Sequence, residues 1–307
     1  MNPLIIIAGP TASGKSALAL ALAQRLGGTV INADAMQCYR ELRVVTARPS
    51  PEDEAQAPHR LYGVRTAAKP ANAAWWRQEA LAEMAACDVP ILCGGTGMYF
   101  SALINGIADI PDPGEVARVQ ARETLARLGA PAVHGMLDAA TAAKLQPNDS
   151  QRIARAYEVL LGTGKGLAFW QEQKTEGLTG WRTRMVLLDP PRESLREAIA
   201  TRFAAMLAGG AVEEVRDLIA LELEAELPLL RAHGVPELSA YLRGEISLET
   251  AQARAVLATY QYTKRQMTWF RHQKLVDSPA LQTIQTRIAS FTQLSESFVD
   301  CFVNFIK

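Results

Sequence analysis

Apolar residues fall along the chain in short unbroken blocks, separated by longer stretches of helical period. Residues 4–8, LIIIA, predict a strand buried on both faces, as in a parallel sheet. Ser16 to Arg25, SALALALAQR, is built from strong helix formers. TVINAD (29–34) predicts a second strand ending at Asp34, WWRQEALAEMAAC (75–87) a helix, and VPILCGG (89–95) a third strand. RMVLLDPP (184–191) predicts a fourth, stopped by two prolines. Strands alternating with helices predict an α/β fold around a parallel sheet. From about Pro113 to Trp181 the pattern turns helical and rich in Ala and Arg, between Pro111 and Pro113 on one side and Gly177 and Gly180 on the other. The expected organisation is a discontinuous α/β core, residues 1–112 and 182–277, with an all-helical insertion over 113–181. Residues 278–307 are weakly patterned and predict a peripheral tail.

Composition narrows the class. The chain has 307 residues, 49% apolar and 21% charged, as expected of a globular protein with a sizeable core. Its 32 basic residues match its 32 acidic ones, so a polyanion must be met by a local patch and not by a global field. Cys38, Cys87, Cys93 and Cys301 form no CxxC and no metal-ligand spacing, and read as reduced thiols of a cytoplasmic protein. The four histidines form no HExxH. The N-terminus does not read as a signal peptide, and no run reaches the ~20 apolar residues of a membrane span.

The chemistry starts at GPTASGKS (9–16), which matches G-x-x-x-x-G-K-[ST] between a strand and a helix. Its backbone N–H groups can face an anion, Lys15 can reach a terminal phosphate, and Ser16 can reach Mg²⁺. PILCGGTG carries no acid at its end, and Asp189 precedes two prolines. Asp34 is the best-placed carboxylate, since carboxyl ends of parallel strands line the ligand crevice. It suits a general base acting on an acceptor; a helix N-cap is the other reading. Gly94, Gly95 and Gly97 around Thr96 form a second glycine-rich turn, which a plain strand-to-helix turn also explains. Arg152 and Arg155 share one helical face, either solvated or basic by purpose. YTKRQMTWFRHQK (262–274) interleaves Lys264, Arg265, Arg271 and Lys274 with Tyr262, Trp269 and Phe270. That mixture suits an RNA backbone and unstacked bases, or an amphipathic helix packing its aromatics inward.

Taken together, these residues resemble the tRNA dimethylallyltransferases over roughly residues 4–275. GPTASGKS, INADAMQCYRELRVVTARP (31–49), PHRL (58–61), PILCGGTGMYFSALINGI (90–107), PNDSQRIARAYEV (147–159), RFAAMLAGGAVEEV (202–215) and TKRQMTWFR (263–271) each have a counterpart in colinear order. The resemblance implies a P-loop parallel sheet flanked by helices, similar to nucleoside-phosphate kinases, with a helical insertion. It implies that the loop, Gly9, Pro10, Thr11, Ala12, Ser13, Gly14, Lys15 and Ser16, holds the diphosphate of dimethylallyl diphosphate, with Mg²⁺ at Ser16. The five-carbon group would pass to N6 of the adenine 3′ of the anticodon in tRNA. By position, Asp34 is the general base, and Lys15 and Arg202 hold the diphosphate. Contacts to the tRNA anticodon stem-loop fall at Asp34, Ala35, Met36 and Gln37, at Thr96 and Arg118, and at Gln151, Arg152, Ile153, Ala154 and Arg155. Further tRNA segments are 231–236 and 259–266, the latter with Lys264, Arg265 and Gln266. The resemblance also implies a cytoplasmic monomer with no membrane partner. Val45, Arg48 and Tyr260 depart from the family pattern, as does HGVPEL (233–238).

Two rival enzymes share part of this pattern. A small-molecule kinase shares the loop and sheet but leaves TKRQMTWFR unexplained. An isopentenyltransferase acting on free adenine nucleotides needs no large RNA-gripping surface. A non-catalytic RNA-binding protein would have no use for an intact Gly14-Lys15-Ser16 with Asp34.

Overall fold

The computed structural model describes residues 1–289 and 294–306. Six strands form one parallel sheet: β1 (Asn2–Ala8), β2 (Thr29–Asn32), β3 (His59–Arg60), β4 (Pro90–Gly94), β5 (Trp181–Leu188) and β6 (Leu281–Ile284), in the order β3-β2-β4-β1-β5-β6. β1 is central because its LIIIA run is fully buried and can sit only where both faces are covered. Its register places Ile5 beside Ile91 on β4 and beside Arg184 on β5.

β2 ends at Asn32, two residues before the expected boundary. The Asn32 side chain captures the main chain of Asp34 and turns it out of the ladder. The helix Ala73–Ala85 starts where Asn72 accepts a hydrogen bond from the Trp75 N–H. A second apolar core joins Tyr39, Leu42 and Val45 to the helices Ala211–Ile219 and Val235–Leu242 and to the long helix Leu248–His272.

Residues 281–289 and 294–306 are not a peripheral tail. Leu281–Ile284 pair with Met185–Leu188 as the sixth strand. The helix Glu296–Ile306 buries Val299, Phe302, Val303 and Ile306 in the same cluster as Leu18 and Leu22 of the helix Lys15–Leu26. Residues 290–293 and 307 of that expected tail lie outside the described residues.

The chain forms two compact units, Met1–Ser101 with Gly180–Lys307, and Ala102–Thr179. The smaller unit is built from the helices Glu115–Leu128, Ala130–His134, Ala139–Ala142, Ser150–Thr163 and Leu167–Glu172. Its centre is Ala130, Val133 and Ile153, flanked by Leu125 and Tyr157.

Phe302 is 2% exposed in the main core. Phe302→Ala should therefore lower the unfolding free energy by about 3–5 kcal/mol in urea titration. A loss below about 1 kcal/mol is what a surface helix would give.

Candidate active site at the carboxyl end of the sheet

β1 delivers the chain into the loop 9–16, and the helix Lys15–Leu26 leaves it. Gly14 has φ 98°, and a Cβ there would sit 2.0 Å from the Ile288 carbonyl oxygen. No larger residue fits. The loop is braced from outside by three residues in two distant segments. Gln266 accepts the Thr11 N–H through Oε1 at 2.9 Å, Arg287 donates from Nε to the Ala12 carbonyl at 3.0 Å, and the Ile288 N–H bonds the Ser13 carbonyl at 3.1 Å. Ala12 is held at φ 64°, a conformation alanine adopts only under such constraint.

Lys15 donates from Nζ to the Pro10 carbonyl at 2.6 Å. Desolvation pushes its pKa down to about 8; Cys93 and Asp34 oppose that shift, and Arg202 adds to it. Arg202, on the helix Arg192–Ala208, is also pushed down by desolvation, with Asp34 opposing and Arg287 reinforcing. Lys15 and Arg202 thus both feel the Asp34 carboxylate, Lys15 also feels Arg202, and Arg202 feels Arg287. Ser16 stands exposed at the helix start, and its hydroxyl reaches the Cys93 thiol, which burial pushes up to about 11.

Asp34 is fixed by its neighbours. Its N–H donates to Asn32 Oδ1 at 2.8 Å, and its carbonyl accepts from Asn32 Nδ2 at 2.9 Å. Asn32 is fully buried and also donates to the Leu61 carbonyl. Asp34 Oδ1 accepts the Met36 N–H at 3.0 Å, capping the short turn Met36–Cys38. Asp34 thus closes a local turn one residue ahead of Ala35, the cap position of Met36–Cys38, and its charge is felt at Lys15 and Arg202. Thr96 ties the β4 turn to this one, its hydroxyl accepting the Ala35 N–H at 3.0 Å and its N–H bonding the Ala33 carbonyl. Thr96 is therefore a brace for the Asp34 turn. Gln37 donates to the carbonyls of Thr46 and Ala47, both at 2.9 Å. That second loop hangs on Glu214, whose carboxylate accepts the N–H groups of Arg43, Val44 and Val45.

The long helix Leu248–His272 packs one side of its basic stretch inward and exposes the other. Thr263, Gln266, Met267 and Phe270 face inward, whereas Lys264 and Arg265 are exposed. Trp269 lies against Gly97, where a Cβ would meet its ring at 2.0 Å. At the Tyr260 departure, the ring carries the Lys264 ammonium at 4.9 Å; Arg265 lies 5.4 Å from the Tyr262 ring. Arg271 grips Asp189 with both carboxylate oxygens, at 3.0 and 2.8 Å. Gln266, expected at the RNA, is 5% exposed and spends its amide on the protein's own backbone.

In the smaller unit, Gln151, Arg152 and Arg155 are exposed and Ile153 is fully buried in the core, because a helix cannot turn successive residues to one side. Ala154 is half-buried. Arg152 pairs with Asp149, Arg155 with Glu158, and Arg118 with Asp112 and Glu115. Exposed pairs of this kind are weak and exchange readily for a phosphate.

Sequence reasoning missed Arg287, Glu214 and Asn32. The last two sit inside quoted motifs, Glu214 in GGAVEEV and Asn32 in INAD, so their positions were visible although their contacts were not. Arg287 has no local signal at all. Among the described residues, no group of three or more His, Cys, Asp or Glu side chains could hold a metal, and no helix is long and apolar enough to cross a membrane.

A family model described as IPP transferase matches residues 37–273, and one described as isopentenyl transferase matches residues 2–69. The tRNA dimethylallyltransferase of Acidiphilium cryptum is 62% identical over 99% of this chain and 95% of its own, and that of Rhodospirillum rubrum is 49% identical over 99% and 94%. Among solved structures, the tRNA isopentenylpyrophosphate transferase of Bacillus halodurans superposes with a TM-score of 0.69 at 27% identity, covering 100% of this chain and 97% of that one. A eukaryotic dimethylallyltransferase acting on tRNA shares the fold, with a TM-score of 0.80 at 23% identity over 99% and 78%. A parallel six-strand sheet flanked by helices, with the GPTASGKS loop leaving its central strand, gives the α/β fold of a transferase. Within that class, the chain belongs to the tRNA dimethylallyltransferase family.

Lys15 supplies a pH test of the crevice. A bound diphosphate favours the ammonium, so affinity should fall once the free protein loses that proton, above its pKa of about 8. Calorimetric titration with dimethylallyl diphosphate should show affinity dropping by up to about tenfold per pH unit between pH 8 and 10. Lys15→Ala should bind more weakly and lack this fall. An identical pH profile in both proteins would take Lys15 out of the anion site.

Proposed function

We propose that this chain transfers the dimethylallyl group of dimethylallyl diphosphate to N6 of the adenine 3′ of the anticodon in tRNA, releasing diphosphate. The observation that carries this reading is the loop 9–16 at the end of the central strand, with the Asp34 charge felt at both Lys15 and Arg202. The cations and the N–H groups of residues 9–16 suit a departing diphosphate, and the carboxylate suits a nucleophile that must lose a proton.

In the reaction the allylic C–O bond breaks, and its electron pair goes to the diphosphate oxygen. Lys15 and Arg202 stabilise the growing negative charge there. The N6 lone pair forms the new C–N bond, and Asp34 takes the N6 proton. Carrying the base to the crevice requires extruding it from its stack, at a cost of a few kcal/mol. Phosphate contacts from Lys264, Arg265, Arg118, Arg152 and Arg155 would offset this, with Gln151 as a polar contact and Ala35 to Gln37 lining the Asp34 turn.

Mg²⁺ fits this donor set. The exposed Ser16 hydroxyl is a hard oxygen ligand, and Mg²⁺ is commonly held by one protein oxygen, waters and substrate phosphates with no all-protein cage. When bound it would supply charge neutralisation to the diphosphate. The four cysteines are all free, which supports a reducing, cytoplasmic setting. The same proposal has the enzyme act as a monomer, since one chain carries loop, carboxylate and basic helix.

The test is transfer of labelled dimethylallyl diphosphate to tRNA, run beside Asp34→Asn. Asn keeps the Oδ1 acceptor for the Met36 N–H but loses basicity. Single-turnover rates should fall about 10²–10⁴-fold, with both substrate affinities little changed. Rates within a few-fold of the parent would remove Asp34 as the base, and no labelled tRNA would remove the proposal.

Lys264→Ala with Arg265→Ala should lower the slope of log affinity for tRNA against log salt by about 1 per lost contact, leaving diphosphate affinity unchanged. An unaltered slope would assign this face of the helix to packing alone.

A further inference from the structure

Where β5 ends, the protein has a cavity of about 320 Å³ that the reaction above does not use. That volume lies at the lower end of the range for small-molecule sites, which suits a nucleotide and exceeds what an ion needs. Asp189 follows the strand, and Pro190 and Pro191 turn the chain into the helix Arg192–Ala208. The long helix Leu248–His272 supplies the facing wall, and Gln285, just past β6, stands at the edge. Leu195 and Met267 give the cavity a buried apolar floor.

The rim is basic, with Arg192, Lys264 and Arg271 against Asp189. Arg271 is paired with Asp189 through both carboxylate oxygens. Among the described residues, Arg192 and Lys264 have no carboxylate partner; the Lys264 ammonium lies against the Tyr260 ring. The helix start adds to this field. Pro191 stands at its cap, no side chain caps its first N–H groups, and the macrodipole favours an anion there. Glu193, the acid of that turn, is exposed and does not line the cavity. The Gln285 amide has no protein partner among the described residues.

Two unpaired cations and an uncapped helix start over an apolar floor suit a phosphate joined to a flat body, with an amide to read its edge. That is the chemistry of an unpaired nucleotide. Its position favours RNA as the source. Lys264 and Arg265 continue the basic face of the same helix, and the cavity opens at the carboxyl end of the sheet, as Asp34 does. In the order β2-β4-β1-β5, three strand spacings, roughly 14 Å, separate the ends of β2 and β5. A nucleotide held here is therefore not the one presented to Asp34.

We propose that this cavity is a second nucleotide subsite, holding one unpaired nucleotide of the tRNA other than the modified adenine. Its phosphate meets Arg192 and Lys264, and its base lies over Leu195 and Met267 within reach of Gln285. The inference rests on the reading of the chain as a tRNA-modifying enzyme. It gives the RNA strand a second fixed point, which sets where along the loop a base is drawn out.

The experiment measures binding of the full chain to an anticodon stem-loop RNA, intact and with each unpaired nucleotide in turn made abasic. Besides the target adenine, one abasic position should weaken binding to the parent protein about tenfold. Arg192→Gln with Gln285→Ala should bind the intact RNA about tenfold more weakly, with the slope of log affinity against log salt lowered by about 1. In that variant the loss at the same abasic position should vanish, because base and pocket are coupled. Both side chains are exposed, so the variant should melt as the parent does. Additive losses, or a variant that binds intact RNA like the parent, would overturn the subsite. AMP is titrated alongside: binding to the parent that the variant lacks, with RNA affinity unchanged, gives the cavity to a free nucleotide and likewise ends the proposal. Transfer of labelled dimethylallyl to tRNA separates the two readings. Transfer by the parent without coupling sinks the subsite alone; a parent that neither transfers nor binds RNA sinks the reading as a tRNA-modifying enzyme.

Discussion

Lys15 and Arg202 are half-buried cations whose charge desolvation disfavours, with Asp34 as the carboxylate both of them feel. Desolvating like charges is costly, and the loop would relax if nothing held it. What holds it is two neutral contacts, the Gln266 amide on Thr11 and the Ile288 N–H on Ser13, and one cation, the Arg287 guanidinium on the Ala12 carbonyl. The loop is thereby set before any ligand arrives. On the proposed reading, charge developing on a departing diphosphate would meet donors that require no reorganisation, where electrostatic stabilisation is most effective.

The same economy governs the carboxylate. Asn32 grips both main-chain polar groups of Asp34, Trp76 donates from Nε1 to the Asn32 carbonyl at 2.7 Å, and Trp76 is stacked on Tyr99 at 4.6 Å. A fully buried, hydrogen-bonded platform thus aims one partly exposed side chain. Glu214 does comparable work one layer further out, gathering three successive N–H groups of the loop that receives Gln37.

Much of this was legible in the sequence where local geometry dictates residue type. GPTASGKS announces itself because an inward-facing loop demands its glycines. The central strands are continuous apolar runs, and Asp34 closes one of them. β3 and β6 were not legible: two residues, HR, and four, LQTI, carry no burial pattern, and their pairing is decided by partners far along the chain. The helix Glu296–Ile306 did carry helical spacing at Val299, Phe302, Val303 and Ile306, but nothing in that spacing names the core it joins. Gln266 was misread for a related reason. Helical period tells which side a residue faces but not what that side meets, and flanking cations drew it toward RNA. The true partner, Thr11, is 255 positions away.

The brace that β6 leads into has a temporal meaning. The loop at residues 9–16 leaves the ribosome well before Arg287 and Ile288, which clasp it. At 5–20 residues per second the interval is roughly 15–50 s. For the first part of it β1 lacks β5 on one flank, and throughout it the loop lacks this clasp. A chain interrupted before residue 287 would carry every residue of the GPTASGKS motif and still lack two of the bonds that shape it.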